Sequence, residues 1–462
     1  MKNPNLSIAV ILKIIKLFTS WQIEEVAKGV GFTQRERGLT SNTFFKVFTV
    51  GAWSLHEITL ETLASKCCEI QHGLQLTRQA LFQRLKTGSA LLREMLAWTV
   101  AYAAKHSVTT ETIEVLKQFK HVYICDSTLL SLPDKLQAVF KGLGGINAKA
   151  AVKIQLMFSL MERKFRSIEL CTATGNDSNY TAGIARKLSF MDLILVDLGY
   201  FNAAAFKEIS QKGAFFLSRV KTNTKFYVDS VKKRGQNTRV DVIEMLKKSG
   251  DKLDCEIYIG GNRKNRMKVR MVAIRLPEEV VNERRRKANK KAKSSNKVLT
   301  AAETELLAWN IFICNIPEDM LALKTICELY RLRWQVELVF KGWKSHFDID
   351  QMGNVGEKYF ECLIYGKLIV IILMTALFST VFAIMFRKQR RLLSMLKLLK
   401  NLREKSETLL TSLQNIWGNA VKLYDTFVDV IGRSLDEKRK RKTTQQVLME
   451  HDLPEVVLQM LA

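Results

Sequence analysis

What this 462-residue chain lacks narrows its chemistry first. Its eight cysteines (Cys67, Cys68, Cys125, Cys171, Cys255, Cys314, Cys327, Cys362) form no CxxC pair, and its six histidines do not cluster with them. A thiolate or imidazole zinc site is therefore not expected, whereas buried free thiols in a reducing compartment are. No repeat at a fixed period is visible, so no solenoid array is expected. The opening MKNPNLSIAVILKIIKLF is apolar, but Lys13 and Lys16 interrupt it at helical spacing. It reads as an amphipathic helix rather than a signal peptide. Acidic residues are in short supply, 45 Asp and Glu against 72 Lys and Arg, for a formal net charge of +27. That excess favours a polyanionic partner, nucleic acid first and an anionic membrane surface second.

Hydrophobic residues make up 47% of the chain, enough to bury large cores in two to four domains. One run, Leu368 to Phe386, carries no charge and is long enough to span a bilayer, with Arg387, Lys388, Arg390 and Arg391 behind it as a cytoplasmic stop. No second span accompanies it, and a helix apolar all round also suits the centre of a large domain. The buried helix is the expectation; the membrane span is the alternative.

Residues 1–115 read as helices. Within them ITLETLASKCCEI and LQLTRQALFQRLK resemble two helices joined by a turn, with Thr77 capping the second and Arg78, Gln79, Gln83 and Arg84 on its polar side. A DNA-binding helix-turn-helix and an ordinary bundle both fit. From about 120, HVYICDSTLLSLP, AVKIQLMFSLM, FRSIELCTAT and LILVDLGYF are strand-like, and YTAGIARKLSF between the last two is helical. The mixture predicts a central sheet with helices packed on it. AFFLSRVKT, KFYVDSV, DCEIYIGG, RMKVRMVAIRLP and NIFICNIP add further strands over residues 214–318. The charged run 282–297 is expected as a solvated loop or an arm lying along phosphates. After 390 the chain turns helical again, ending in a tail with the basic run Lys438 to Lys442.

The segment Tyr330 to Lys344 (YRLRWQVELVFKGWK) places Tyr330, Arg333, Glu337, Lys341 and Lys344 within roughly 80° of one another on one helix. Leu332, Val336, Val339, Phe340 and Trp343 take the apolar face. Such a helix also describes an ordinary surface with i,i+4 ion pairs. Upstream, Asp126 in VYICDST and Asp197 in LILVDLGY end two apolar strands. Singly, each could simply bond turn amides. Three carboxylates in the order strand end, strand end, helix face can instead converge at one sheet edge and hold two Mg²⁺ ions through hard oxygen ligands.

With these residues in view, the chain resembles the bacterial DDE transposases of the insertion sequence 4 family. Their signature, Tyr, two residues, Arg, three residues, Glu, six residues, Lys, is met by Tyr330, Arg333, Glu337 and Lys344 without a gap, and Trp334 and Lys341 also fit. DST at Asp126 and DLGYF at Asp197 resemble the motifs of the two catalytic aspartates, with Leu198 in place of a common basic residue. The resemblance, from about 40 to 390, implies an α/β fold with an RNase H-like catalytic core. That core is expected in two parts, 116–213 and 319–390, interrupted by a β-rich insertion (214–318) with the basic loop 282–297. A helical N-terminal DNA-binding region (1–115) and a helical C-terminal region (391–462), used in pairing, flank it. It implies Asp126, Asp197 and Glu337 as catalytic ligands of Mg²⁺, with Mn²⁺ as a substitute. It implies phosphate contacts from Tyr330, Arg333, Trp334, Lys341 and Lys344, and from Arg219 and Lys221 in LSRVKT. Trp309 resembles an aromatic residue that stacks on a flipped base. The function implied is cut-and-paste transposition on double-stranded DNA ends by a homodimer in a bacterial cytoplasm, with no membrane partner. A catalytically silent DNA-binding repressor is the alternative.

Overall fold

Among the described residues there are ten strands, most of them built from runs of β-branched and aromatic residues: β1 (His121–Leu132), β2 (Ala150–Ser159), β3 (Lys164–Thr172), β4 (Asp192–Val196), β5 (Phe215–Arg219), β6 (Phe226–Asp229), β7 (Asn237–Val240), β8 (Lys252–Ile259), β9 (Met267–Arg275) and β10 (Trp309–Cys314). The computed structural model describes residues 21–435 apart from 34–37, 56, 107–115, 145–148, 161–163, 221–223, 230–236, 261–265, 295, 297, 332, 334, 352, 390–392 and 413–419. The amphipathic opening and the basic run Lys438 to Lys442 lie outside the described residues.

The chain forms two compact units. One is drawn from the chain up to Ile113, Ser127–Thr174 and the chain from Gln335 onward; the other comprises Glu114–Asp126 and Gly175–Trp334. Strand β1 passes from the second to the first after Asp126, so the strand order reads β3-β2-β1-β4-β5-β10-β9-β8-β6-β7. β2 and β3 are antiparallel, with an irregularity at Met157 and Phe158. β4 is parallel to both β1 and β5, and β10, β9, β8, β6 and β7 continue antiparallel. This is the mixed α/β architecture expected of an RNase H-like core. The strands after Gly213 lengthen the same sheet.

Two elements of the second unit outside the candidate site differ from the sequence reading. β7 was not anticipated, because Asn237–Val240 carries no apolar run and lies half-buried or exposed at the sheet's edge. The basic run expected as a loop is helical over Glu278–Ser294. Its Arg, Lys, Ala and Glu are good helix formers. Glu278 and Glu279 at its start and Lys291 and Lys293 near its end complement the helix dipole. Val281 is buried and Arg284 half-buried, so one face packs despite the charge. Facing strands β8 and β9 in this unit are tied by Arg270, whose Nε and Nη2 meet the two Asp254 carboxylate oxygens at 2.8 and 2.6 Å while Nη1 donates to the Leu321 carbonyl at 2.6 Å. The fork geometry of Arg is what lets one side chain hold three acceptors.

In the first unit the helices Leu60–Ile70 and Arg78–His106 carry threonine caps, Thr59 on Thr62 N–H and Thr77 on Ala80 N–H. The second buries Leu81, Leu85, Leu92 and Met95 and packs along the helix Glu357–Gln389. Nearly all of Glu357–Phe378 is buried, so the long apolar run forms the centre of this unit, as expected. All eight cysteines are free, with Cys67, Cys125, Cys314 and Cys362 buried.

The same apolar helix encloses a cation. Lys367 is 5% exposed and donates to the Asp348 carbonyl at 2.6 Å. Burial lowers its ammonium to about 8, with Arg403 adding to the effect and the Asp348 and Asp350 carboxylates opposing it. In the unfolded chain the same group titrates near 10.4. Between those values the unfolded state binds more protons, so stability should rise with pH from about 8 to about 10.5, by up to about 3 kcal/mol. Urea unfolding of Lys367→Met across this range should lack that rise.

Candidate active site

Strand pairing places the two aspartates. In the β1–β4 ladder His121 faces Asp192 and the register runs to Cys125 opposite Val196. Asp126 and Asp197 are the next residues on each strand, so they stand side by side where the parallel pairing ends. β1 and β4 run parallel, so both acids lie at the carboxyl ends of the pair. After Asp197 the chain enters a short 3-10 turn, Leu198–Tyr200, whose Tyr200 is buried and anchors it.

Arg333 and Tyr330 close the arrangement. Arg333 Nη1 donates to Asp126 Oδ2 at 2.8 Å, and its Nε lies 3.8 Å from Asp197 Oδ1. One guanidinium therefore spans two carboxylates whose side chains are 17% and 40% exposed. The Tyr330 hydroxyl donates to Asp197 Oδ1 at 3.2 Å and reaches the Val196 carbonyl at 3.3 Å, and its ring packs on Phe312, 4.7 Å between centroids. Burial, reinforced by the Asp197 charge, pushes the Tyr330 phenol well above its ordinary value, so it stays a donor across the accessible pH range.

The single helix expected over Tyr330 to Lys344 is instead two. Tyr330 lies in the last turn of the helix Leu323–Arg331, Arg333 lies in a 3-10 turn, and a second helix runs Gln335–Phe347. The break suits the anchors, since Tyr330 is drawn to Asp197 and Arg333 to Asp126. On the second helix Val336, Phe340 and Trp343 are buried and Val339 is half-buried, as the apolar face predicts. Glu337 occupies the first turn and is half-buried, while Lys341 and Lys344 are exposed. Glu337, Lys341 and Lys344 belong to the first compact unit; Asp126, Asp197, Tyr330 and Arg333 belong to the second. Leu332, Trp334 and Lys221 lie outside the described residues. Among the described residues, no three His, Cys, Asp or Glu side chains gather as a metal-binding group. What the fold joins is an aspartate pair under an arginine.

Arg219 ends β5 opposite Phe312 of β10, and Trp309 begins β10. Trp309 is 2% exposed and its indole donates to Glu305 at 3.3 Å. Both line a cavity of about 900 Å³ in the second unit, next to Leu198. Sequence reasoning missed Arg284, which reaches the same cavity from the basic helix and donates to the Asn310 side chain at 2.8 Å. It also missed Asp177, whose carboxylate packs on the turn after Asp197, 3.3 Å from where a side chain at Gly199 would begin. Neither carries a local signal, because both are brought in by the packing of distant helices.

The donor chemistry suits a hard divalent cation. Asp126 and Asp197 offer carboxylate oxygens without thiolate or imidazole, the set Mg²⁺ and Mn²⁺ prefer. Arg333 supplies positive charge at the point where two like charges meet.

Comparison with known proteins agrees with this geometry. A family model described as Transposase DDE domain matches residues 117–373, more than half of the chain. The transposase for insertion sequence element IS1151 of Clostridium perfringens is 28% identical over 394 residues, 82% of this chain and 83% of the relative. That for element IS231F of Bacillus thuringiensis subsp. israelensis is 28% identical over 408 residues, 85% and 84% of the two chains. That for IS231B of Bacillus thuringiensis subsp. berliner is 26% identical over 443 residues, 92% of each.

Proposed function

Because the chain belongs to the DDE transposases, we propose that it moves an insertion sequence by cut-and-paste, cleaving DNA at the element's terminal inverted repeats and joining the freed 3′ ends to target DNA. The observation that carries the reading is the pairing of Asp126 and Asp197 at the ends of adjacent parallel strands. Two apolar strands delivering two acids to one edge, with a tyrosine and an arginine bonded to them, have little structural use outside chemistry on phosphates.

Glu337 is the third acid of this proposal. It lies four residues beyond Arg333, so the chain alone keeps the two Cα atoms within about 14 Å. Asp126, Asp197 and Glu337 would hold Mg²⁺, which when bound makes a water or 3′-hydroxyl more acidic and stabilises the leaving oxygen of an in-line displacement. The chain's own part is positioning. Tyr330 fixes Asp197 and remains protonated. Arg333, which here bonds Asp126, would turn its charge toward a scissile phosphate once metal balances the carboxylates. Lys341 and Lys344, exposed on one helix face, would grip the flanking phosphates and supply register without reading bases. A pair of protomers would hold the two ends of one element together.

Incubation with Mg²⁺ and double-stranded DNA bearing the element's ends, followed by product sequencing, tests the proposal. Breaks leaving 3′-hydroxyls at the repeat boundaries are expected, together with joined products. Tight binding without any cut would instead favour a silent repressor.

A further inference from the structure

The cavity beside Leu198 is out of electrostatic balance. Arg219, Lys225, Arg239, Arg284 and Lys287 line it, against two acids, Asp241 and Glu303. Both acids are occupied as helix caps: Asp241 accepts the Ile243 N–H at 2.8 Å, and Glu303 accepts the Thr300 N–H at 2.9 Å and its hydroxyl at 3.0 Å. Lys287 pairs with Glu283 at 2.6 Å, on the helix rather than in the cavity wall. Arg219, Lys225, Arg239 and Arg284 meet no carboxylate among the described residues. Arg284 is half-buried, held by the Asn310 side chain and the Trp309 carbonyl, and Arg219 lines the same cavity. Burial first, and Arg219 second, lower the Arg284 guanidinium below its ordinary value. Folding two arginines together with no anion between them is unfavourable, and a built arrangement of this kind anticipates an anion from outside.

We propose that this cavity is a phosphate clamp, in which Arg219 and Arg284 share one backbone phosphate of the DNA strand leading to Asp197, with Arg239 and Lys225 at the mouth for the next. The proposal rests on the DNA-acting reading above and deepens it, adding Arg284 and Arg239 to the substrate contacts. The planar guanidiniums can each present two donors to phosphate oxygens. Apolar Leu307, Trp309 and Ile311 also line the cavity, and a less polar surrounding strengthens such a contact.

The test is equilibrium binding of end-bearing DNA by the full chain, without divalent metal, across a salt series. Arg284→Ala and Arg239→Ala should each weaken binding about tenfold and reduce the log–log salt slope by about 0.9, the signature of one lost phosphate contact. Lys247→Ala, an exposed lysine outside the cavity, should change neither appreciably. Arg284 also ties its helix to β10, so a loss there alone could be structural; Arg239 makes no side-chain bond among the described residues and removes that ambiguity. A scan of the DNA with single neutral methylphosphonate linkages should reveal one position that weakens wild type but leaves Arg284→Ala unaffected. If both arginine variants match Lys247→Ala and no such position exists, the clamp is overturned while the transposase reading stands. If wild type fails to bind the ends at all, both fall. A melting-temperature rise with mononucleotide alone, abolished by Arg284→Ala without any effect on DNA affinity, would assign the cavity to a free nucleotide and overturn the clamp.

Discussion

Asp126→Asn, Asp197→Asn and Glu337→Gln should each yield a folded protein that binds end-bearing DNA yet cleaves it at least about a thousandfold more slowly, a loss of about 4 kcal/mol in transition-state stabilisation. The amides preserve shape, and in Asp126→Asn the new carboxamide still offers Arg333 an oxygen in place of the 2.8 Å carboxylate contact. What disappears is the negative charge that a divalent cation requires. Removing an acid from a surface that meets phosphates should not weaken DNA binding, so binding and cleavage should separate cleanly. Binding is followed by a gel shift and cleavage by strand-specific end labelling. Near-normal cleavage in any one of the three would remove that residue from the catalytic set.

Gly366→Ala should destabilise the first unit strongly. In an open helix this change would gain about 1 kcal/mol, since alanine is the better helix former. Here the added methyl would land on the Phe48 carbonyl oxygen and come within 2.9 Å of its carbon. Neither neighbour is a flexible side-chain tip. Phe48 belongs to the π-helical segment Val47–Gly51, all of it buried, and Gly366 lies in the central helix Glu357–Gln389. Backbone must move to admit the methyl, and overpacking of this kind costs about 1–3 kcal/mol or more. The expected result is aggregation or a fall in melting temperature of several degrees, whereas Gly183→Ala, where nothing lies within 4 Å, should be neutral or stabilising.

The strand ends that carry Asp126 and Asp197 were legible because strands and acids signal locally. The apolar runs before Asp126 and Asp197 identify β1 and β4, and a carboxylate directly after five buried residues is conspicuous. The spacing of Tyr330, Arg333, Glu337 and Lys344 then singles out Glu337 as the acid proposed to join them. The helix break at Arg333 was not legible, because the pull of Asp126 on its guanidinium is a tertiary contact that overrides a sound helical period. The helix in the basic run was missed for a related reason: charge density argued for solvent, while composition favoured helix and a single valine gave it a footing. Arg284 stayed hidden inside that run, one cation among many until β10 came to meet it. The long apolar segment was read correctly: its length also fitted a bilayer, but the absence of a second span favoured a core helix, and Glu357–Phe378 is mostly buried.

The central claim is that Asp126, Asp197 and Glu337 hold divalent metal together. Its most direct test is titration of Mn²⁺ into the protein bound to end-bearing DNA, with free ion counted by electron paramagnetic resonance. Asp126→Asn and Glu337→Gln should both weaken Mn²⁺ binding by at least about tenfold. Wild-type Mn²⁺ affinity in Glu337→Gln, with Asp126→Asn impaired, would contradict the account by leaving the glutamate outside the metal site.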